Sequence, residues 1–293
     1  ENIYQKLSGT EEGLVAYYNF DDVTTIIPDV TENGNDATPY IAGNALSLDG
    51  SSEYVEIGDV DELDFGTKSF TVEAWVYDDP DSINGWNNAV AKKFTSGTAS
   101  GWTLRINNQD RPQFFLADGT NRVDLNSGTV ITEGEWYHLA GVVNRDTNEA
   151  YLYINGELAV TESIANLGSI NSSTGLKIGS WGALSNYWHG QIDEVRIWNQ
   201  ARSSEEIQDN LYKKLEGTED GLAAYYNFDS DIDITINDST DNGFDGTLVN
   251  GDSSNLTTSE IGYTLTDWEV TKTPVVKIAE GETQATITVS KVD

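Results

Sequence analysis

About a dozen short runs of alternating apolar and polar residues, separated by Gly, Asn, Asp and Ser, dominate this sequence of 293 residues. Residues 69–77 (SFTVEAWVY) put Phe70, Val72, Ala74 and Val76 on one face and Glu73 and Trp75 on the other, the period-two pattern of a half-buried strand. Residues 135–144 (EWYHLAGVVN) and 150–155 (AYLYIN) repeat the pattern. The dipeptide Asn155-Gly156 then joins the second run to residues 157–162, because both central positions of a tight hairpin turn need a positive φ. Further strands are expected at 14–20, 53–57, 89–93, 102–107, 113–117, 176–180 and 191–198. So many short strands with turns between them predict an all-β chain, an antiparallel two-sheet jelly-roll sandwich. One helix is expected, near 203–212. There Ser203-Ser204-Glu205-Glu206 has the form of a capping box, and Ile207 and Leu211 share a face.

The sequence also repeats itself. Residues 2–21 (NIYQKLSGTEEGLVAYYNFD) return at 210–229 (NLYKKLEGTEDGLAAYYNFD), 208 positions later, and the echo continues from 29–38 into 238–247. The expected organisation is therefore a leader or the end of a preceding repeat at 1–12 and a main sandwich at 13–209. A second copy of the opening segment follows at 210–258, then a partial β segment at 259–293. In the last part, residues 274–289 (PVVKIAEGETQATITV) read as two strands around Glu280-Gly281.

With 49 acidic and 16 basic side chains the chain carries a formal charge of −33. No Lys or Arg occurs in 7–67 or in 215–271, which argues against nucleic acid or anionic lipid as a partner. No apolar run approaches the ~18 residues a membrane helix needs, so no membrane insertion is expected. The chain has no cysteine, which excludes disulfides, thiolate catalysis and thiolate metal sites. It has no methionine either, initiator included, which suggests a piece of a longer polypeptide. Strong acidity without oxidisable sulfur suits an extracellular or cell-surface location.

Eight motifs in order resemble the laminin G-like, concanavalin A-like jelly roll in its bacterial form. They are GLVAYYNFD (13–21), TENGNDAT (31–38), ALSLDGSSEYVEI (45–57), FTVEAWV (70–76), EWYHLAGVV (135–143), AYLYINGE (150–157), LKIGS (176–180) and GQIDEVRIWNQARSSEEI (190–207). The resemblance spans roughly 13–210. Residues 275–293 resemble the closing strands of a Calx-β-type sandwich. The fold hosts lectins, pentraxins, adhesion modules and glycosidases, so the resemblance implies the fold and leaves function to the site.

Catalysis is not expected. Retaining glycosidases of this fold carry their paired carboxylates as E-x-D-x-x-E on one strand, and the nearest approach here, Glu62-Leu63-Asp64, has Thr67 where the last Glu should stand. His138 alternates with Trp136 and Ala140 and reads as a packed side chain; His189 sits at a strand start. Glu73 and Arg196, both inside apolar strands, are expected to pair with each other.

The resemblance implies calcium as cofactor. The pentraxin-like position is lost, because 94–99 and 181–185 hold no carboxylate. The second, structural position implies Asp193, completed by Asp21 or Asp49, with oxygen ligands that suit a hard cation. Carbohydrate binding calls for exposed aromatics flanked by amides, and Trp181, Tyr187, Trp86 and Asn87 offer that chemistry. The expected function is a noncatalytic binding or adhesion module of a large secreted or cell-surface bacterial protein. Its partners would be an extracellular glycan or protein ligand and the neighbouring modules of the same polypeptide. The alternatives are a ligand-free spacer in an adhesin and an accessory domain of a polysaccharide-degrading enzyme.

Overall fold

The computed structural model describes residues 43–82, 85–93, 97–182, 186–229, 234–259 and 261. The first copy of the repeat, with the strand expected at 14–20, lies outside them, as does the Calx-β-like tail. The described strands are β1 (Asn44–Asp49), β2 (Tyr54–Gly58), β3 (Phe70–Asp78), β4 (Asn87–Lys93), β5 (Gly101–Ile106), β6 (Pro112–Ala117), β7 (Arg122–Asn126) and β8 (Trp136–Asn144). After them come β9 (Glu149–Ile154), β10 (Glu157–Ser163), β11 (Leu176–Ile178) and β12 (His189–Trp198), then the helix α1 (Ser204–Asn210). The chain continues with β13 (Leu222–Tyr226), β14 (Thr235–Ile236), β15 (Gly246–Val249) and β16 (Leu256–Thr258).

They form two eight-stranded sheets. The first runs β10-β9-β8-β3-β12-β1-β16, with β13 also paired to β12; the second runs β14-β15-β2-β11-β4-β5-β6-β7. All pairs are antiparallel. Alternation decides what goes inside. Phe70, Val72, Ala74 and Val76 of β3 meet Trp102, Leu104, Phe114 and Leu116 of β5 and β6 in one inter-sheet core. The fit is close enough to demand a glycine: a Cβ on Gly141 of β8 would lie 2.6 Å from the Phe114 ring. Asn155 and Gly156 both take a positive φ, 51° and 78°, at the turn between β9 and β10.

Helix α1 is fastened at its start by a reciprocal cap. The Glu206 amide donates to Ser203 Oγ at 3.2 Å, and the Ser203 amide donates to Glu206 Oε2 at 2.8 Å. Its Ile207 packs on Ala140, Val142 and Tyr153 over the outer face of the first sheet. On that same face, Glu73 and Arg196 stand directly opposite in the register but do not form the ion pair expected of them. Arg196 pairs with Glu194 at 2.7 Å and also donates to the carbonyls of Asn210 and Lys213. Glu73 instead accepts from the Trp198 indole at 2.5 Å and lies 3.2 Å from His138 Nε2. The register shift between Asp193 and Arg196, with Glu194 at a φ of 50°, resets the alternation so that Val195 and Ile197 enter the core and Glu194 and Arg196 both face outward.

Beyond residue 209 the chain continues into the same two sheets. β13, from the second repeat copy, pairs with the half of β12 that β1 leaves free. β15 pairs with β2 in the opposite sheet, and β16 with β1. Tyr226, Phe228, Ile236 and Leu248 join the same core as Phe70 and Trp102. Residues 210–258 thus supply strands to both sheets of one sandwich.

Candidate functional site

The outer face of the second sheet carries the candidate site. Period-two alternation buries Trp102, Leu104, Phe114 and Leu116 between the sheets, which leaves Thr103, Arg105, Gln113 and Phe115 on the opposite face. Phe115 stands directly across from Asp124 of β7, and Ala117 from Arg122. Two chain segments wall in this face. Trp86 comes from the approach to β4, and Trp181 and Asn186 come from the connection between β11 and β12. The second segment is held down by Gly182 N–H to the Lys93 carbonyl at 2.8 Å. The Asn88 side-chain amide holds it as well, donating to the Asn186 carbonyl at 3.0 Å.

The result is a hollow of about 400 Å³ lined by Trp86, Arg105, Phe115, Arg122, Asp124, Trp181, Asn186 and Gly97. That is within the range of small-ligand sites. The Arg105 guanidinium is sandwiched between rings, 4.3 Å from the Trp86 centroid and 5.1 Å from that of Phe115. Its Nε donates to Gln113 Oε1 at 2.7 Å, and Gln113 in turn donates to Asp124 at 3.4 Å. Burial lowers Arg105 to about 10, against the pull of Asp124. Lys93 sends its ammonium over the same Phe115 ring at 4.9 Å. That ammonium is buried without a hydrogen-bond partner among the described residues, and burial, with Arg105 adding to it, lowers its pKa to about 8.

The hollow unites two of the four expected ligand residues, Trp86 and Trp181. Trp181 is a wall rather than a free-standing ring, only 6% exposed. Tyr187 stands apart, its ring 6.2 Å from Tyr54 on β2. Asn87 is buried, and its amide donates to Asp78 at 3.0 Å and to Ser82 at 3.2 Å, so it does not line the hollow. Arg105, Phe115, Arg122 and Asp124 were not expected. The one available signal was the pair Phe114-Phe115 in a strand: alternation sends one of two adjacent aromatics outward.

Among the residues expected to hold calcium, Asp21 lies outside the described residues. Asp49 pairs across the sheet with His189, four residues along β12 from Asp193, roughly 13 Å at strand spacing. Its carboxylate instead accepts from the Ser51 and Ser52 amides. Asp193 is buried, accepting from Ser259 Oγ at 2.6 Å and from the Glu194 amide at 2.7 Å. Burial raises its pKa well above the usual carboxylate range, and the negative charges of Glu194 and Asp229 raise it further. Asp229 holds, in the second repeat copy, the place that Asp21 holds in the first; it accepts from the Asn44 amide at 2.7 Å and pairs with Lys214. A second acidic group was not foreseen: Asp78, Asp110 and Glu133 bring carboxylate oxygens within 4.8 Å of one another. They come from three separate stretches of chain, and no sequence motif links them.

Several solved structures share the fold. A Bacteroides ovatus protein proposed to bind carbohydrate is 22% identical, with a TM-score of 0.58; the match covers 79% of this chain and 65% of that one. The chain thus spans just under two thirds of that protein's length. The CBM40 of a Ruminococcus gnavus IT-sialidase matches over 58% of this chain and 98% of its own, at 13% identity and a TM-score of 0.46. Domain 4 of an extracellular arabinanase from Geobacillus stearothermophilus, solved with arabinotriose, matches over 67% and 85%, at 19% identity and 0.44. No curated protein matches the chain by sequence. The sequence profile of the laminin G-type concanavalin A-like lectin/glucanases superfamily matches residues 49–208, more than half of the chain. The two antiparallel sheets and the profile agree, and the chain belongs to the concanavalin A-like lectin/glucanases superfamily.

Proposed function

We propose that this chain is a noncatalytic glycan-binding module of a larger extracellular protein, with the hollow on the outer face of the second sheet as its binding site. The observation that carries this reading is the meeting of Trp86, Phe115 and Trp181 with Arg105, Asp124 and Asn186 around about 400 Å³. Rings supply faces for sugar C–H groups, and the polar side chains supply hydroxyl partners. The Bacteroides ovatus neighbour, proposed to bind carbohydrate, is consistent with it. The absence of the paired-carboxylate strand motif supports a noncatalytic role. Among the described residues no helix is long and apolar enough to cross a membrane.

We further infer a structural calcium ion at Asp193 and Asp229. An all-oxygen donor set with surplus negative charge suits a hard cation, and Asp193 and Asp229 each raise that surplus by their proximity. The ion's role would be to neutralise Asp193 and tie β12 to the second repeat copy.

A glycan array run with calcium and with chelator tests both statements. The intact chain should bind a defined glycan set, and Trp86→Ala should weaken binding at least about tenfold, the loss of one stacking ring. Calcium should raise the melting temperature of the chain but not of Asp193→Asn. Binding unchanged in Trp86→Ala would move the site elsewhere; a calcium response unchanged in Asp193→Asn would remove the ion from this position.

A further inference from the structure

The hollow inverts the sign of the molecule's charge. The chain carries −33 overall and only 16 basic residues, yet three of those residues gather on one aromatic ring. Lys93 Nζ, the Arg105 guanidinium and the Arg122 guanidinium lie 4.9, 5.1 and 6.0 Å from the Phe115 centroid. One carboxylate answers them: Asp124, 3.1 Å from Arg122 Nε. Like charges packed together repel, and burial strengthens the repulsion. A fold gains nothing from such a cluster unless something else neutralises it.

The side chains themselves show how little of that neutralisation the protein provides. The buried Lys93 ammonium has no hydrogen-bond partner among the described residues. Arg105 makes a single hydrogen bond among the described residues, through Nε to the neutral Gln113, which leaves its two terminal nitrogens with donors to spare. Arg122 is half exposed at the rim. Elsewhere the molecule treats buried cations differently. Lys92, next in sequence, is met by both Asp59 and Asp64, and Arg196 by Glu194 and two carbonyls. Among the described residues, the buried cations without a carboxylate partner, Lys93 and Arg105, both lie at the hollow.

Resting on the glycan-binding reading above, we propose that the ligand is an acidic saccharide, whose carboxylate or sulfate group meets Arg105, Arg122 and Lys93 while a sugar ring lies against Trp86. A guanidinium fork matches two oxygens of either anion. Bulk electrostatics work against this ligand, because a strongly acidic protein repels a polyanion. Only a local concentration of cations overcomes that, so acidic sugars that bind must bind here.

Calorimetric titration of the full chain tests this with three probes: trigalacturonate (carboxylate), a κ-carrageenan tetrasaccharide (sulfate) and neutral xylotriose. Chelator is present throughout, so that the cations on offer are the protein's own. One of the acidic probes should bind at least about tenfold tighter than xylotriose, and its affinity should fall as sodium chloride rises from 50 to 300 mM. Which acidic probe wins identifies the anion. Arg122→Gln, at the solvent-exposed rim, and Lys93→Gln, which removes a buried unpaired charge, should both fold and should each weaken the acidic probe about fivefold or more. If xylotriose binds as tightly as both acidic probes, and Trp86→Ala abolishes that binding, the inference falls while the glycan-binding reading stands. If acidic binding ignores both charge variants, the inference also falls. If none of the three probes binds, both fall.

Discussion

Asp78 shows how single residues in this molecule are held away from their ordinary chemistry. Burial, with Glu133 and Asp110 adding to it, pushes its carboxyl up to about 7 against hydrogen bonds from Ser82 and Asn87. A carboxyl raised above its unfolded value adds stability that is complete in acid and is lost as pH rises through about 7. Asp78→Asn keeps an oxygen to accept the Asn87 amide and removes the charge. In chelator it should therefore melt several degrees higher than the parent at pH 8, a gain on the order of 2 kcal/mol after allowing for solvent screening, and the difference should vanish toward pH 4. Equal melting temperatures at pH 8 would show that Asp78 ionises at no cost. At this scale the sequence was a partial guide. Trp86 and Trp181 stood out because they sit in loops beside amides, glycine and small polar residues, where binding side chains often lie. Arg105, Arg122 and Lys93 did not, because a basic residue in a strand looks the same whether it meets a carboxylate, as Lys92 does, or nothing.

The strands and helix were largely legible, because alternation and capping are local. β3 sends Phe70, Val72, Ala74 and Val76 into the core as alternation requires, although its other face is buried as well rather than exposed, and the Asn155-Gly156 turn takes the positive φ values its residues favour. Helix α1 starts from its Ser203 cap. Pairing between distant strands is not local. The apolar residues Leu222, Tyr225, Tyr226 and Phe228 call for burial against the preceding segment, but nothing in LAAYY at 222–226 says that it will pair with β12. The structure gives that strand an integral part: Phe228, just beyond it, is fully buried in the core shared by both sheets. Phe228→Ala should therefore cost about 3–5 kcal/mol and lower the single unfolding transition of the whole sandwich. A mutant whose main transition is unchanged, with only amides after residue 210 exchanging faster, would mean that the second copy folds by itself.

At the scale of the whole molecule, the two faces away from the core serve different ends. The outer face of the first sheet is closed over: α1 and the turn after it cover Trp75, Trp136, Tyr153 and Val142, and the polar groups there are engaged with one another around Glu73, Glu194 and Arg196. Among the described residues no helix lies over the outer face of the second sheet above β4–β7; the segments that carry Trp86 and Trp181 wall it in, and the aromatic rings and cations collect there, largely buried. The two faces differ in consequence of which one the helix occupies, and that was half legible: the helix was read from the sequence, the sheet it covers was not. The central claim is that a sugar binds in the hollow on this second face. The most direct measurement is a nuclear magnetic resonance titration of the eight tryptophan indoles, using whichever of trigalacturonate, the κ-carrageenan tetrasaccharide or xylotriose binds most tightly. The expected result is that the Trp86 and Trp181 indole signals shift in proportion to occupancy while Trp75, Trp102, Trp136, Trp188 and Trp198 stay in place. Shifts concentrated at Trp75 and Trp136, with Trp86 and Trp181 unmoved by a sugar that demonstrably binds, would contradict the account.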